Sequence, residues 1–402
     1  MSHPNELVKS IEEKEMTPKS FLSTKTSFLA RQVICYLLLL FVSSSVFAVN
    51  LSVDGHGGFD SNPHRLASQF DPDIELFSIA SIKLSNRFEN GVFIKGRSKH
   101  SFYPDDDRGD WSKTKLELGY RSKFELGDNE FDYKLSTDWT DRDKHYVSRT
   151  TGEDATFAGE SIVDRYDYVS NNLNAEVSFR SKQKTRFRLS YQRRDKDYKN
   201  FSIPGLNDFD YSHDRYKFDV EFRLAKEHRL IAEIGQTDRE YDDRRIDDIN
   251  GDEIANTDLE YEYSEYLLGY VYRPDQDLKV RFDVSNSERS DNGVGYNDST
   301  YDRVSISVRK LMNEHEMLNF SLAYSDYAYD NRSFNDPALD EEDTFDNQGY
   351  RIRLDYRKKL QLNGEENLSL IYTLQADDYD SSDTRYEYSR VLFSIGLKYK
   401  II

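Results

Sequence analysis

The sequence predicts an all-β fold, a transmembrane antiparallel up-and-down β-barrel of about sixteen strands, and three observations carry that prediction. Beyond residue 48, runs of about 9 to 16 residues alternate apolar with ionised side chains. Short polar turns and long acidic loops then take turns along the chain. Finally, hydrophobic residues make up 37% and charged residues 32%, too little apolar sequence to cover so many strands from within.

Taken in chain order, the first element is a short apolar segment. Arg31 precedes an apolar run from Val33 to Val42, a serine-rich bridge follows, and Val46, Phe47 and Ala48 give the small-residue cleavage pattern of a secretory signal. Residues 1–48 are therefore expected to be a removed signal peptide with a long n-region, leaving 49–402 as the barrel. The run is too short for a spanning helix, which needs roughly 20 apolar residues. Met16 competes with Met1 as the start, and the lone cysteine, Cys35, falls within the segment that is lost.

The remaining composition narrows the class. Disordered chains are poor in aromatics, and 29 Tyr with 24 Phe exclude that reading. With 74 Asp and Glu against 55 Lys and Arg, nucleic acid is excluded as a partner.

The turns set the strand count. Short reversals fall at 89–91, 127–130, 181–184, 225–228, 274–277, 311–316 and 362–366, several carrying the Gly or Asn that tight hairpins need. Between them lie longer, mostly acidic connections such as "PDDDRGD", "SRTTGEDATFAGESIVD", "DDRRIDDINGDEIANTD" and "DNRSFNDPALDEEDTFDNQ". Seven short turns and eight loops separate sixteen strands and leave both chain ends on the short-turn side, expected to be periplasmic.

Within strands, Tyr216, Phe218, Val220, Phe222 and Leu224 are expected to face lipid while Lys217, Asp219, Glu221 and Arg223 face water inside. Leu116, Leu118 and Tyr120 alternate likewise with Lys115, Glu117 and Gly119, and Val280, Phe282 and Val284 with Lys279, Arg281 and Asp283. A buried soluble strand could not tolerate the second row. Closure follows because an open edge in hydrocarbon leaves backbone groups unpaired at roughly several kcal/mol each.

The last strand, "RVLFSIGLKYKII", resembles the C-terminal assembly signal of Gram-negative outer-membrane proteins, with Ser394, Gly396, Tyr399 and Ile401 at the matching positions. It departs from the pattern at Ile401, where an aromatic is usual, and at Ile402, where Phe is common. The resemblance implies a bacterial outer-membrane location, lipid and lipopolysaccharide as surroundings, and the outer-membrane assembly machinery as a partner. The segment "GGFDSNPHRL" resembles the first-strand signature of outer-membrane barrels associated with exopolysaccharide export, through Asp60, Asn62 and Arg65.

For chemistry, the inward row is expected to supply a basic lumen from Arg186, Arg188, Arg223, Lys279, Arg281, Arg303, Arg309, Arg351, Arg353 and Arg357. Such a wall would pass anionic solutes, an acidic exopolysaccharide among them, because guanidinium forks hold carboxylates and phosphates at any relevant pH. The competing reading pairs each of these cations with a neighbouring acid in a structural ladder. Asp248, Asn250 and Asp252 have the alternate spacing that opens a calcium loop, without the Gly an EF-hand carries at its sixth position; no other cofactor is expected. "DEED" at 340–343 could bridge lipopolysaccharide through divalent ions. The mature histidines show no metalloprotease spacing, so no enzyme is expected. A structural or adhesive surface barrel, and a hydrolase acting on envelope lipids or peptides, stand as the alternatives.

Overall fold

A computed structural model describes residues 50–67, 70, 72–148, 151–181, 184–199, 201, 203–335, 342–362 and 365–401. The expected signal segment lies outside these residues. Sixteen antiparallel strands form one closed barrel. They are β1 (Asn50–Asp60), β2 (Glu75–Arg87), β3 (Val92–Phe102), β4 (Trp111–Leu126), β5 (Asn129–Lys144), β6 (Tyr168–Arg180), β7 (Arg186–Tyr198) and β8 (Tyr211–Arg223), then β9 (His228–Tyr241), β10 (Glu260–Tyr272), β11 (Leu278–Asp291), β12 (Ser299–Leu311), β13 (Glu316–Asn335), β14 (Glu342–Leu362), β15 (Glu365–Ser381) and β16 (Tyr388–Lys400).

Each strand pairs with its sequence neighbours, and β1 pairs with β16 to close the cylinder, Ser52 opposite Lys400 and Asp60 opposite Leu392. Both ends of the barrel chain therefore stand at the short-turn rim. Close approach at this seam demands glycine. A Cβ on Gly58 would lie 1.9 Å from the Phe393 carbonyl oxygen, and one on Gly396 2.1 Å from the His56 ring.

The seven short turns and eight longer connections, here L1 to L8, fall where the sequence places them, with one difference. The connection expected across 330–348 is mostly strand: β13 runs on to Asn335 and β14 starts at Glu342, with Ser333 opposite Thr344. Above a bilayer the ladder needs only backbone partners, so a polar sequence does not stop it. L3, between β5 and β6, carries a small hairpin of its own, Thr156–Phe157 with Glu160–Ser161.

The two faces separate by residue parity. Tyr216, Phe218, Phe222, Leu224, Leu230, Ile234, Leu268, Phe282 and Ile352 are exposed on the outer skin. Near the short-turn rim, outer rings touch in a chain, Phe124 to Phe131 at 5.0 Å, Phe131 to Phe179 at 5.1 Å and Phe179 to Phe187 at 6.0 Å, the aromatic girdle of a bilayer interface. Toward the loops the outer row turns polar, as at Arg193, Asp195 and Asp197 on β7, so these strands rise above the apolar belt.

The loops pack on each other. Ala155 and Ile162 of L3 form a buried cluster with Ile203 of L4. Arg108 of L2 donates to the Gly152 carbonyl of L3 at 3.1 Å, and Asn297 of L6 to Asp247 of L5 at 2.7 Å. The acidic loops thus form a joined rim.

Candidate functional site

The inner wall is the candidate site, and it divides into two halves. From β5 to β10, cross-strand register brings inward cations against inward acids. Lys134 reaches Glu117 at 2.7 Å, Arg215 reaches Glu265 at 2.6 Å, Arg229 reaches Glu221 at 2.6 Å, and Lys217 pairs with Glu233. Arg188 lies 3.7 Å from Glu176 and 3.5 Å from Asp219, and Arg186 3.8 Å from Glu176. These pairs cancel within the wall, while Arg194, Lys196 and Arg239 nearer the loops have no carboxylate within 4.0 Å among the described residues.

The other half, β11 to β16 and on through β1 to β4, has pairs of its own but also leaves a group of cations unmatched. A pocket of about 330 Å³ is lined by Lys83, Arg97, Lys99, Arg353, Arg357 and Lys398, with Asp54 and Asp355 as its only carboxylates among the described residues. Asp54 takes Lys83 at 3.2 Å and Ser81 at 2.7 Å; Asp355 takes Arg353 at 2.8 Å. No described carboxylate comes within 4.0 Å of Arg97, Lys99, Arg357 or Lys398, and Lys99 rests on the Trp111 ring at 4.7 Å. The buried Nε of Arg357 has no described hydrogen-bond acceptor.

The ten cations expected in the lumen all sit on the inward row, and the structure sorts them. Arg186, Arg188, Arg281, Arg351 and Arg353 have carboxylate partners, Arg281 with Asp283 at 2.7 Å and Arg351 with Asp377 at 2.6 Å. Arg223 is turned into its own hairpin, donating to the Ala225 and Lys226 carbonyls at 3.1 and 3.0 Å. Lys279 and Arg309 stand directly opposite each other, and Arg303 stands between Ser285 and Ser325, none with a described carboxylate in reach. Like charges opposite one another repel, so the pair favours an anion between them.

Near the loop end of β6 to β13, inward tyrosines interleave with cations. Lys196 lies 3.9 Å from the centre of the Tyr168 ring, Arg239 is 4.6 Å from Tyr211 and 4.9 Å from Tyr263, and Arg289 is 4.6 Å from Tyr261 and 5.2 Å from Tyr329. Tyr327 donates to Ser299 at 3.2 Å in the same cluster. Tyr168, Tyr211, Tyr261, Tyr263 and Tyr329 were missed from sequence. Their signal was an aromatic on the inward parity within the loop-proximal turn of each strand.

The first-strand residues have a seam role. Arg390 of β16 donates through Nε to Asp60 at 2.7 Å and also through Nη2, Tyr103 donates to Asp60 at 3.1 Å, and Asp60 is fully buried. Asn62 ties L1 to β16 through the Ser389 carbonyl at 3.2 Å, and Arg65 lies over the Tyr388 ring at 5.9 Å. In the C-terminal strand Ser394 and Gly396 point inward and are buried, while Tyr399 and Ile401 are exposed, Tyr399 on the outer row.

In L5, Asp248 accepts the backbone N–H of Asn250 at 2.8 Å and of Asp252 at 3.0 Å, so its carboxylate closes its own turn. The "DEED" side chains lie outside what the structure describes. At the L1–L2 corner, His64 Nε2 is 3.0 Å from Asp106 Oδ2, with Glu75 beside them. Arg108 holds the Asp106 pKa down at about 2. Burial lowers the His64 pKa against the opposing pull of Asp106.

No protein-family model and no curated protein matches this sequence. Among solved structures, it is similar to OccAB1 of Acinetobacter baumannii, at 11% identity and TM-score 0.44, covering 90% of this chain and 100% of that one. It is also similar to OmpT, an outer-membrane protein of Vibrio cholerae, at 12% identity and TM-score 0.42, covering 88% and 99%. A bacterial polysaccharide outer membrane secretin matches at 10% identity and TM-score 0.41, covering 88% and 98%. The closed sixteen-strand barrel, apolar outside and charged within, has the build of a transmembrane β-barrel.

One expectation is corrected here. The exclusion of catalysis rested on the lack of a local histidine motif, and it does not stand: the fold gathers His64, Glu75 and Asp106 from separate segments, where no linear motif could reveal them.

Proposed function

We propose that this barrel is a channel of the bacterial outer membrane that passes anionic solutes, with acidic exopolysaccharide as the substrate class its charge layout suits. The observation that carries the reading is the unmatched half of the inner wall, where Arg97, Lys99, Arg357 and Lys398 line a pocket without carboxylate partners among the described residues. A fixed excess of positive charge on a low-dielectric wall concentrates anions in the lumen. Sixteen strands leave width for such a path.

The layout also has a direction. Lys398, Lys400, Lys279 and Arg309 lie toward the short-turn rim, whereas the joined loops at the other end are acidic. With both termini periplasmic, a polyanion is drawn in from the periplasmic side and leaves past the acidic loops, where Lys196, Arg239 and Arg289 are covered by tyrosine rings. Cations spaced along the wall exchange a chain of carboxylates from site to site, so no single group holds it. In this reading Ser394, Gly396, Tyr399 and Ile401 present the last strand to the assembly machinery, and lipid with lipopolysaccharide surrounds the skin.

Reconstitution in planar bilayers under a salt gradient tests the proposal. The expected result is a measurable conductance whose reversal potential reports anion preference. Absence of conductance, or preference for cations, overturns it.

A further inference from the structure

We propose that His64, Glu75 and Asp106 form a binding site for a divalent cation of the zinc class, which ties L1 and L2 to the start of β2 at the loop end of the barrel. One donor atom from each residue lies within 4.8 Å of the other two. His64 Nε2 and Asp106 Oδ2 are hydrogen-bonded at 3.0 Å, and opening by about 0.4 Å brings them to the spacing of two tetrahedral ligands with bonds of roughly 2.1 Å.

A second, independent observation points to a missing ligand. Glu75 Oε2 is buried and has no described hydrogen-bond donor. Buried carboxylate oxygens are almost always bonded, so an orphan oxygen on the carboxylate that shares this cluster with an imidazole and a second carboxylate asks for a cation. The His64 side chain is only 7% exposed, which fixes its ring.

The surroundings suit a metal. Arg108 donates to both oxygens of Asp106, each at 2.7 Å, and so orients that carboxylate as outer-shell partners of metal ligands do. A pocket of about 600 Å³ adjoins the cluster, lined also by Asp73 and Asp105, which gives a route in and a field that attracts cations. One imidazole and two carboxylates select a borderline ion such as Zn²⁺ over Ca²⁺ or Mg²⁺, which favour all-oxygen shells.

The test uses the purified full-length barrel in detergent, stripped with EDTA and titrated with Zn²⁺ by calorimetry, with elemental analysis after desalting. One retained equivalent is expected, and His64→Gln and Glu75→Gln should each weaken it tenfold or more, while Asp248→Asn leaves it unchanged. Excess Ca²⁺ or Mg²⁺ should not displace it. No retained zinc, displacement by calcium, or unchanged affinity in Glu75→Gln overturns the site. Should a variant fail to fold, as read from heat-modifiable gel mobility, Co²⁺ added to the unaltered protein decides: visible bands of a nitrogen- and oxygen-ligated site support the proposal, and their absence refutes it.

Discussion

The two halves of the inner wall share one backbone plan and differ in what their charges do. From β5 to β10 a cation such as Arg215 or Lys217 meets an acid on the adjoining strand, and the wall is a ladder that stiffens the cylinder. Across β11 to β16 and β1 to β4, Arg97, Lys99, Arg309 and Lys398 have no such acid among the described residues. Matched charges are spent on structure. Unmatched ones retain their field for a solute.

The seam offers the largest test, because there a matched pair is also deeply buried. Asp60→Asn would leave Arg390 with Asp377, at 3.9 Å, as its remaining carboxylate in a site largely sealed from solvent, and breaking such a pair costs about 3–5 kcal/mol. Urea unfolding followed by the loss of heat-modifiable mobility measures it. Lys134→Gln, on the half-exposed ladder, should cost under about 1 kcal/mol by the same assay. Equal losses would break the distinction between latch and ladder.

The next effect in size concerns selectivity. Replacing Arg97, Lys99, Arg357 and Lys398 together with Gln should lower the anion-to-cation permeability ratio about tenfold, a change of about 1.4 kcal/mol. Replacing Arg186, Arg188, Arg215 and Lys217 should move it far less, since their field is already cancelled. Reversal potentials of the two variants in the same gradient decide. Should both fall alike, the halves are electrically equivalent and the comparison fails.

Legibility from sequence followed the same division. Which way a side chain points was readable wherever the outer row was apolar, as at Phe218 and Phe222 around Asp219, because a period of two leaves no other face. Which acid meets which cation was not readable, since pairing depends on register between strands: Arg390 and Asp60 are 330 residues apart. The β2 to β3 part of the unmatched wall was overlooked for a further reason. On β3 the inward Lys95, Arg97 and Lys99 alternate with Gly96, Ser98 and His100, so the apolar beat that marks a strand is missing there. The His64 cluster was hidden because its members come from two loops and a strand end.

The smallest effect contrasts a long loop with a short turn. Asp167 of L3 accepts the Lys144 N–H at 2.6 Å, yet burial pushes its pKa up to about 6, with Asp143 and Asp164 adding repulsion. An unfolded Asp titrates near about 3.9, so the stabilisation Asp167 provides is fully present below that value and is lost as pH rises through about 6. Asp275 behaves oppositely. It accepts the N–H groups of Asp277 at 2.8 Å and Leu278 at 2.7 Å, which lowers its pKa, so its contribution is present above the unfolded value and disappears only in stronger acid. Between pH 5 and 7.5, corrected amide exchange should therefore quicken at Lys144 and stay flat at Asp277. Asp167→Asn should abolish the change at Lys144. A loop whose protection is the same at both pH values would show that Asp167 is solvated like any surface acid, and that L3 is held by its contacts with L4 alone.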